Sequence, residues 1–532
     1  MSTITLIQLP PEILCHVLAF LDAYDLMRIR KTSKRLKEIV DDSEMLQYTI
    51  DLSYFQMIPV GPSETDVPPA TLRKQLGLYN AAWQRAEYEW KCSLPSLMLG
   101  QIYAFGGGIY GSAGENCISF ARLPSASDSG DLYYWSHPVD VPALVDFTFC
   151  AAQDLLIIVS RPPDLQSYVY DVHLRSLTTN DTHPDAAQPS LKALDEDDVG
   201  RRILDPIGHV KVQIVGNYIS MLCRDAIGSM GNVLDCIQLW DWKSEEGYQF
   251  ILLFDCGISD CSFITEDRFL ALVASGTVEI YSIADKSKPP QCTARISLPS
   301  LMDDFLYTDM FTNDNPTPDS TFPYSRKSYL QPSCSFHPSM DDQLIAILVC
   351  VTPRSNTNDL LFCRFVVRRS AILELEGLFA RTYDQSSSNG SRLLWSTWGP
   401  QHAAWFRVRQ NEYWQPSHYG FRTVEVIDGS PFHSSDSDEA RRLCIRDFNP
   451  HIAWNYGAVD MPGFYDRIVR GEVDRMISYP FTEPLGSALT YREVFSDRLF
   501  DGAEILMDES RILLVKVSRN LPLVPCIDNE LW

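Results

Sequence analysis

Positive charge is what this 532-residue chain has least of: 45 Lys and Arg stand against 69 Asp and Glu, a formal net charge of −24. Nucleic-acid backbones and anionic membrane surfaces are met by clustered Lys and Arg, so neither is an expected partner. The deficit favours basic protein partners, or serves solubility alone. Tight cysteine pairs are also missing. The 14 cysteines run from Cys15 to Cys526 without one C-x-x-C, and the nearest two, Cys256 and Cys261, lie five residues apart. That spacing matches no common zinc pattern, and in a chain this long it reads as reduced thiols. The ten histidines are scattered, with no two at ligand spacing. No metal and no cofactor is therefore expected. No apolar run reaches the roughly 18 residues of a membrane span. The opening residues lack a basic segment followed by an apolar core, so no secretory leader is expected. Cytoplasm and/or nucleus is the expected location.

Catalytic motifs are absent as well. The chain has no G-x-x-x-x-G-K-[ST], H-E-x-x-H or G-x-S-x-G. "GGGIYG" at Gly106–Gly111 formally satisfies G-x-G-x-x-G. A dinucleotide site would need a helix to open there, but turn residues and a strand-like run come next, so this is a turn. No catalytic residue is assigned and no enzyme is expected.

What is present begins at once. Pro10 and Pro11 suit a helix start, since the first turn needs no N–H from them, and Glu12 suits the positive end of the helix dipole. Ile13, Leu14, Val17, Leu18 and Leu21 then recur at helical spacing. Leu26 and Ile29 mark a second short helix. Thr32 or Ser33 can cap a third, with Leu36, Ile39 and Val40 inward. A further turn opens at Ser43. A unit this small is marginal by itself. Its apolar faces need either the rest of the chain or another molecule.

Leu9-Pro10, Glu12-Ile13-Leu14, Leu21, Asp25-Leu26 and the basic Ser33-Lys34-Arg35-Leu36 run together resemble an F-box, of the kind seen in fungal members of that family. The likeness spans roughly residues 5–50. It departs in the third helix, where the family's Val-Cys-Lys-x-Trp reads Thr32-Ser33-Lys34-Arg35-Leu36. F-boxes bind the Skp adaptor of SCF-type ubiquitin ligases. By that resemblance the adaptor-facing residues are Leu9, Pro10, Ile13, Leu14, Val17, Leu18, Leu26 and Ile29. Some of these must also hold the F-box together, and sequence alone does not divide the two roles.

After a Pro-rich loop, Leu72, Leu76, Tyr79, Trp83, Ala86 and Trp90 step by four, three, four, three and four. That is one apolar stripe on a helix of about five turns. Laid on a neighbouring domain, such a helix would fix the F-box relative to the C-terminal part of the chain.

Past Ser96 the texture becomes β-rich. "DLLIIVS" from Asp154, "NYISMLCR" from Asn217, "DRFLALVASGTVEIYSI" from Asp267, "DQLIAILVCV" from Asp342 and "SRILLVKV" from Ser510 each open on a polar turn and run into a buried strand. "SYVYDVHL", "CIQLWDW" and "LFCRFVVRR" read as second, outer strands. "LWDW" at Leu239–Trp242 and "SFHPSMDDQLIAIL" at Ser335–Leu348 resemble pieces of WD-repeat blades, whereas "IYAFGGG" at Ile102–Gly108 resembles a kelch blade. The expected fold is thus α plus all-β: a helical F-box at 1–52, a loop and connecting helix at 53–96, and at 97–532 a β-propeller of about seven blades with long insertions. Two stacked β-sandwiches are the alternative. If the ring closes, "LLVKV" should pair beside the "LMLGQIYAF" strand.

The densest aromatic stretch, residues 392–421, places Trp398 beside Gly399-Pro400 and Trp414 before Gln415-Pro416. Trp is a favoured hot-spot residue, and these two are the candidates for loop-borne cargo contacts. The expected function is a non-catalytic substrate-recognition subunit. It would dock a Skp-family adaptor and, through it, a cullin, and would recruit protein cargo. An F-box scaffold acting outside a ligase is the alternative.

Overall fold

The computed structural model describes residues 9–59, 67–86, 102–124, 132–163, 166–196, 203–205, 209–228, 233–245, 248–314, 336–339, 343–355, 359–383, 390–408, 417–428, 441–455, 466–470, 479–496, 503–516 and 530–531.

Four short helices open the chain: α1 (Pro11–Leu18), α2 (Ala23–Ile29), α3 (Lys34–Asp42) and α4 (Glu44–Tyr54). Each boundary has a local cause. Pro11 is the first residue of α1. The Asp22 carboxylate accepts the Asp25 amide at 2.7 Å, and the Ser33 hydroxyl accepts the Leu36 amide at 3.1 Å. Ser43 caps α4 the same way. These side chains satisfy amides that a helix leaves free at its start. Thr32 caps nothing; its hydroxyl donates to the Ile29 carbonyl and closes α2.

The fifth helix, α5 (Pro69–Arg85), is the expected connector. Leu76 and Ala86 of its stripe are buried and Leu72, Tyr79 and Trp83 are half-buried; Trp90 lies outside the described residues. Ala86 ends the helix in the left-handed conformation. The segment before α5 is more than a loop. Its strand Met57–Pro59 pairs antiparallel with Phe336–Pro338, with Ile58 opposite His337.

The rest is a β-propeller. Six sheets of four or five strands span residues 102–138, 144–193, 203–253, 258–297, 305–408 and 418–495, and a three-stranded sheet spans 503–531. The expected count of about seven is thus six full blades and one abbreviated sheet. The innermost strands are Ile102–Gly106, Leu144–Cys150, His209–Val215, Ile258–Thr265, Phe305–Asp314, His418–Tyr419 and Ala503–Met507. Each sheet hides its faces against its neighbours. Phe120 and Phe147 meet between blades one and two, Val212 and Ile157 between two and three, and Leu239 and Phe263 between three and four. Leu272 and Ile347 meet between four and five, and Val366 and Tyr491 between five and six. Val424 and Ile512 meet between blade six and the last sheet.

Closure differs from the expected strand pairing. Leu506 and Leu513 of the last sheet pack face to face against Tyr110, Ala121 and Leu123 of the first blade, while Ile512–Lys516 hydrogen-bonds to Ala503–Met507 and to Glu530–Leu531. The ring closes by side-chain burial, as adjacent propeller blades do.

"GGGIYG" is the expected turn. Gly107 and Gly108 take positive φ (57° and 71°) between the first two strands of blade one. A side chain at Gly108 would meet the Arg511 guanidinium at 3.0 Å. "LWDW" ends the third strand of blade three, where Trp242 is buried and donates to the Gly216 carbonyl.

Because neighbouring strands alternate in direction, all inner strands begin at one end of the ring. All turns into the second strand lie at the other end. The helical unit is tied to the turn end. Tyr79 donates its hydroxyl to the Glu509 carbonyl. Arg422 donates to Asn80 at 2.8 Å and pairs with Asp447 at 3.0 Å. Asn449 donates to the Tyr54 carbonyl at 3.0 Å, and Arg73 of α5 holds Asp51 of α4 at 2.6 Å.

Candidate functional site

The helical unit has a core of its own. Leu14 and Leu18 of α1, Leu26 of α2, Leu36, Ile39 and Val40 of α3 and Leu46 of α4 form one buried cluster, with Leu9, Leu21 and Ile29 packed at its margin. Arg30 joins α2 to α3 through Asp41 at 2.5 Å, and Arg35 donates to the Leu9 carbonyl at 3.0 Å. The Arg30 hydrogen bond holds the Asp41 carboxyl below its ordinary range.

The opposite side is bare. Ile13 is 49% exposed, Val17 42%, Phe20 82% and Tyr24 71%. Pro10 is exposed beside them and Met27 is 36% exposed. Ile13, Val17 and Phe20 stand four and three residues apart, so they share one face of α1 and its last turn. Tyr24 and Met27, three residues apart, form a second exposed row on α2. The Arg28 guanidinium lies 5.5 Å over the Tyr24 ring, and the His16 ring meets Phe20 edge-on at 5.7 Å. Single exposed apolar residues are ordinary. Several large ones in rows on two consecutive short helices mark a contact surface.

The eight residues expected to face an adaptor therefore divide. Pro10, Ile13 and Val17 are open. Leu9 and Ile29 are half-buried. Leu14, Leu18 and Leu26 are sealed inside the helical unit, and that is a correction. At 3.6 residues per turn, Ile13–Leu14 and Val17–Leu18 straddle the helix, so neighbouring apolar residues point apart. Phe20, Tyr24 and Met27 escaped the sequence reading. The available signal was Phe20 at three residues past Val17, continuing the Ile13–Val17 row beyond the last helical residue.

Trp398 is the second correction. It lies in a helix, Trp395–His402, not a loop, and is fully buried. Its indole donates to the Ser297 carbonyl at 3.1 Å and meets Trp395 edge-on at 4.8 Å. Gly399 serves close packing: a side chain there would sit 2.2 Å from the Trp395 ring. Trp398 is core between blade five and its neighbour, so cargo cannot reach it. Trp414 lies outside the described residues.

Among the described residues, no three His, Cys, Asp or Glu side chains gather as metal ligands, and no helix is long and apolar enough to cross a membrane. The described cysteines are free thiols.

Residues 6–48 match the F-box domain family. The N-terminal unit is an F-box. F-box domains typically bind Skp-family adaptors, and the exposed face lies on this F-box's first two helices. An F-box joined to a propeller fits a substrate-recognition adaptor role and is typical of non-catalytic adaptor proteins. No curated protein matches the chain by sequence. Among solved structures, a chain of the S. cerevisiae Dbp5 complex with Nup159, Gle1, IP6 and ADP aligns at 8% identity and TM-score 0.31, covering 84% of this chain and 93% of that one. The β-propeller domain of Myceliophteria thermophila Cps50 (Swd1) aligns at 10% identity and TM-score 0.39, covering 83% and 99%. Neither likeness carries weight at those scores; the propeller rests on its own sheets and their packing.

Proposed function

We propose that this F-box protein is the substrate-recognition subunit of an SCF-type ubiquitin ligase. The exposed face of Pro10, Ile13, Val17, Phe20, Tyr24 and Met27 docks a Skp-family adaptor and, through it, a cullin. The propeller recruits protein cargo, in the cytoplasm and/or nucleus. The observation that carries this reading is the bare apolar face on a helical unit whose own core is already complete. A few aromatic and aliphatic anchors of this kind supply most of the energy of an interface. The departures from the family pattern at Ser33 and Leu36 serve folding: Ser33 caps α3 and Leu36 fills the F-box core.

The test is capture of a Skp-family adaptor by the full chain, compared with Ile13→Asp/Val17→Asp. Both positions are exposed, so the variant keeps its fold and loses the adaptor. Retained capture, or none by the parent protein, sinks the reading. Cargo that accumulates in the variant marks a ligase receptor; adaptor loss without cargo accumulation marks a scaffold.

A further inference from the structure

Three inner strands of the propeller repeat one device. In blades two, four and five the strand bulges near its start, with register breaks between Leu144 and Asp146, Ile258 and Asp260, and Tyr307 and Asp309. After each break stands an aspartate whose carboxylate accepts the very next amide: Asp146 from Phe147 at 2.8 Å, Asp260 from Cys261 at 2.8 Å, and Asp309 from Met310 at 3.1 Å. A bulge re-aims one side chain out of the alternation. All three lie toward the end of the ring where inner strands begin, away from the F-box.

Two of these carboxylates are neutralised from blade three. Lys211 places its ammonium 2.8 and 2.9 Å from the Asp260 oxygens and also donates to the Cys261 and Thr312 carbonyls. Arg224 reaches Asp309 at 3.1 Å and the Ser259 carbonyl at 2.5 Å. Asp146 has the Phe147 amide and, among the described residues, no cation. The alternation of blade three explains this. Lys211 faces blade four, whereas Val210 and Val212 face blade two and pack with Val145 and Cys150. Among the described residues, the one lysine of that strand is thus committed to blade four. Asp146 as a residue is half-buried, with its carboxylate end the more enclosed part. The surrounding protein pushes its carboxyl up to about 7.

An enclosed carboxylate without a counter-charge is costly, and such groups gather at functional sites. A phosphate or carboxylate ligand would be repelled. A divalent metal would need more oxygen ligands than one. A single alkyl-ammonium or guanidinium suits a lone carboxylate, one cationic head pairing with one charge. The net charge of −24 acts in the same direction. We infer that Asp146 is the ionic contact for a lysine or arginine side chain of protein cargo, entering the ring at the end opposite the F-box. That the cation belongs to cargo rests on the proposed receptor role; the cation contact itself does not.

The experiment uses the full chain and two probes: a capped glycine–lysine peptide and its acetyl-lysine counterpart. The parent protein is expected to prefer the lysine peptide. Asp146→Asn, which keeps the shape of the side chain, is expected to weaken lysine-peptide binding roughly tenfold, as for loss of one enclosed charge pair. Asp303→Asn removes an exposed acid before the inner strand of blade five and is expected to leave binding unchanged. Equal weakening by both variants would mean a diffuse negative field and overturn the assignment. So would a parent protein indifferent to acetylation, an arm that needs no variant. Adaptor capture is measured on the same samples. If the parent fails to capture adaptor while Asp146 still discriminates lysine from acetyl-lysine, the ligase reading falls and the cation contact stands.

Discussion

The F-box and the propeller dispose of apolar surface in opposite ways. Every propeller sheet spends both faces on its neighbours, and the ring leaves none over once Leu506 and Leu513 meet Tyr110. Of the exposed large apolar residues on the described propeller strands and loops, Leu253, Leu306 and Tyr479 lie in different sheets or connections, and Tyr133 and Tyr134, neighbours on one strand, point to its opposite faces. The F-box spends one face on its core and leaves the other in water. The difference shows where a second molecule is needed. A closed ring is complete without a partner; a small helical unit of seven core residues with five large apolar side chains bare along α1 and α2 is not.

The contrast can be tested from its strongest point downward. Trp398→Ala removes a fully buried indole and is expected to destabilise the propeller by about 3–5 kcal/mol, read as a lowered denaturant midpoint. If Trp398 served cargo instead, the midpoint would hold. Next, Leu14→Ala is expected to loosen the F-box by about 2–5 kcal/mol while the propeller transition stays put; hydrogen exchange resolves the two. A shared loss would mean that the units unfold as one. Phe20→Ala is expected to leave stability within about 0.5 kcal/mol and weaken adaptor binding by about 2 kcal/mol, roughly thirtyfold. The converse pattern would place Phe20 in a fold contact.

The weakest test concerns the joint between the two units. His337 is buried, pairs across from Ile58 and contacts the Tyr419 hydroxyl, and burial pushes its imidazole down to about 4. An unfolded histidine takes its proton near about 6.5. The neutral ring therefore favours the folded joint above that value, and the contribution is lost as pH falls from about 6.5 toward 4. Acidification in that window is expected to raise exchange of the Met57–Pro59 amides in the parent and less so in His337→Phe. An identical response in both would remove His337 from the joint.

Much of this was legible in residues. Pro11, Ser33 and Ser43 announced helix starts, and the Leu72–Ala86 row announced α5, because caps and periodicity act locally. The runs from Asp154, Asn217, Asp267 and Asp342 became second strands of their blades, walled on both faces and so continuously apolar. Apart from Ile102–Gly106, the inner strands escaped notice for the converse reason. "VDFTF" and "HVKVQIV" alternate polar with apolar because they border the ring's axis, and a bulge breaks even that alternation. The pairing of Met57–Pro59 with Phe336–Pro338 was invisible too. Its partners stand nearly three hundred residues apart, and "SFHP" resembles an ordinary blade turn. Trp398 misled because Gly-Pro signals a turn on average, whereas here the glycine makes room for a neighbouring ring.

The three ties at Ile58, Tyr79 and Tyr54 have a mechanical consequence. They grip separate sheets, so the helical end is clamped like a bracket rather than hung from a hinge. In a ligase, such a bracket would hold one stand-off distance for every client it carries. Which lysine is marked would then depend on the client's own outline, not on any swing of its carrier.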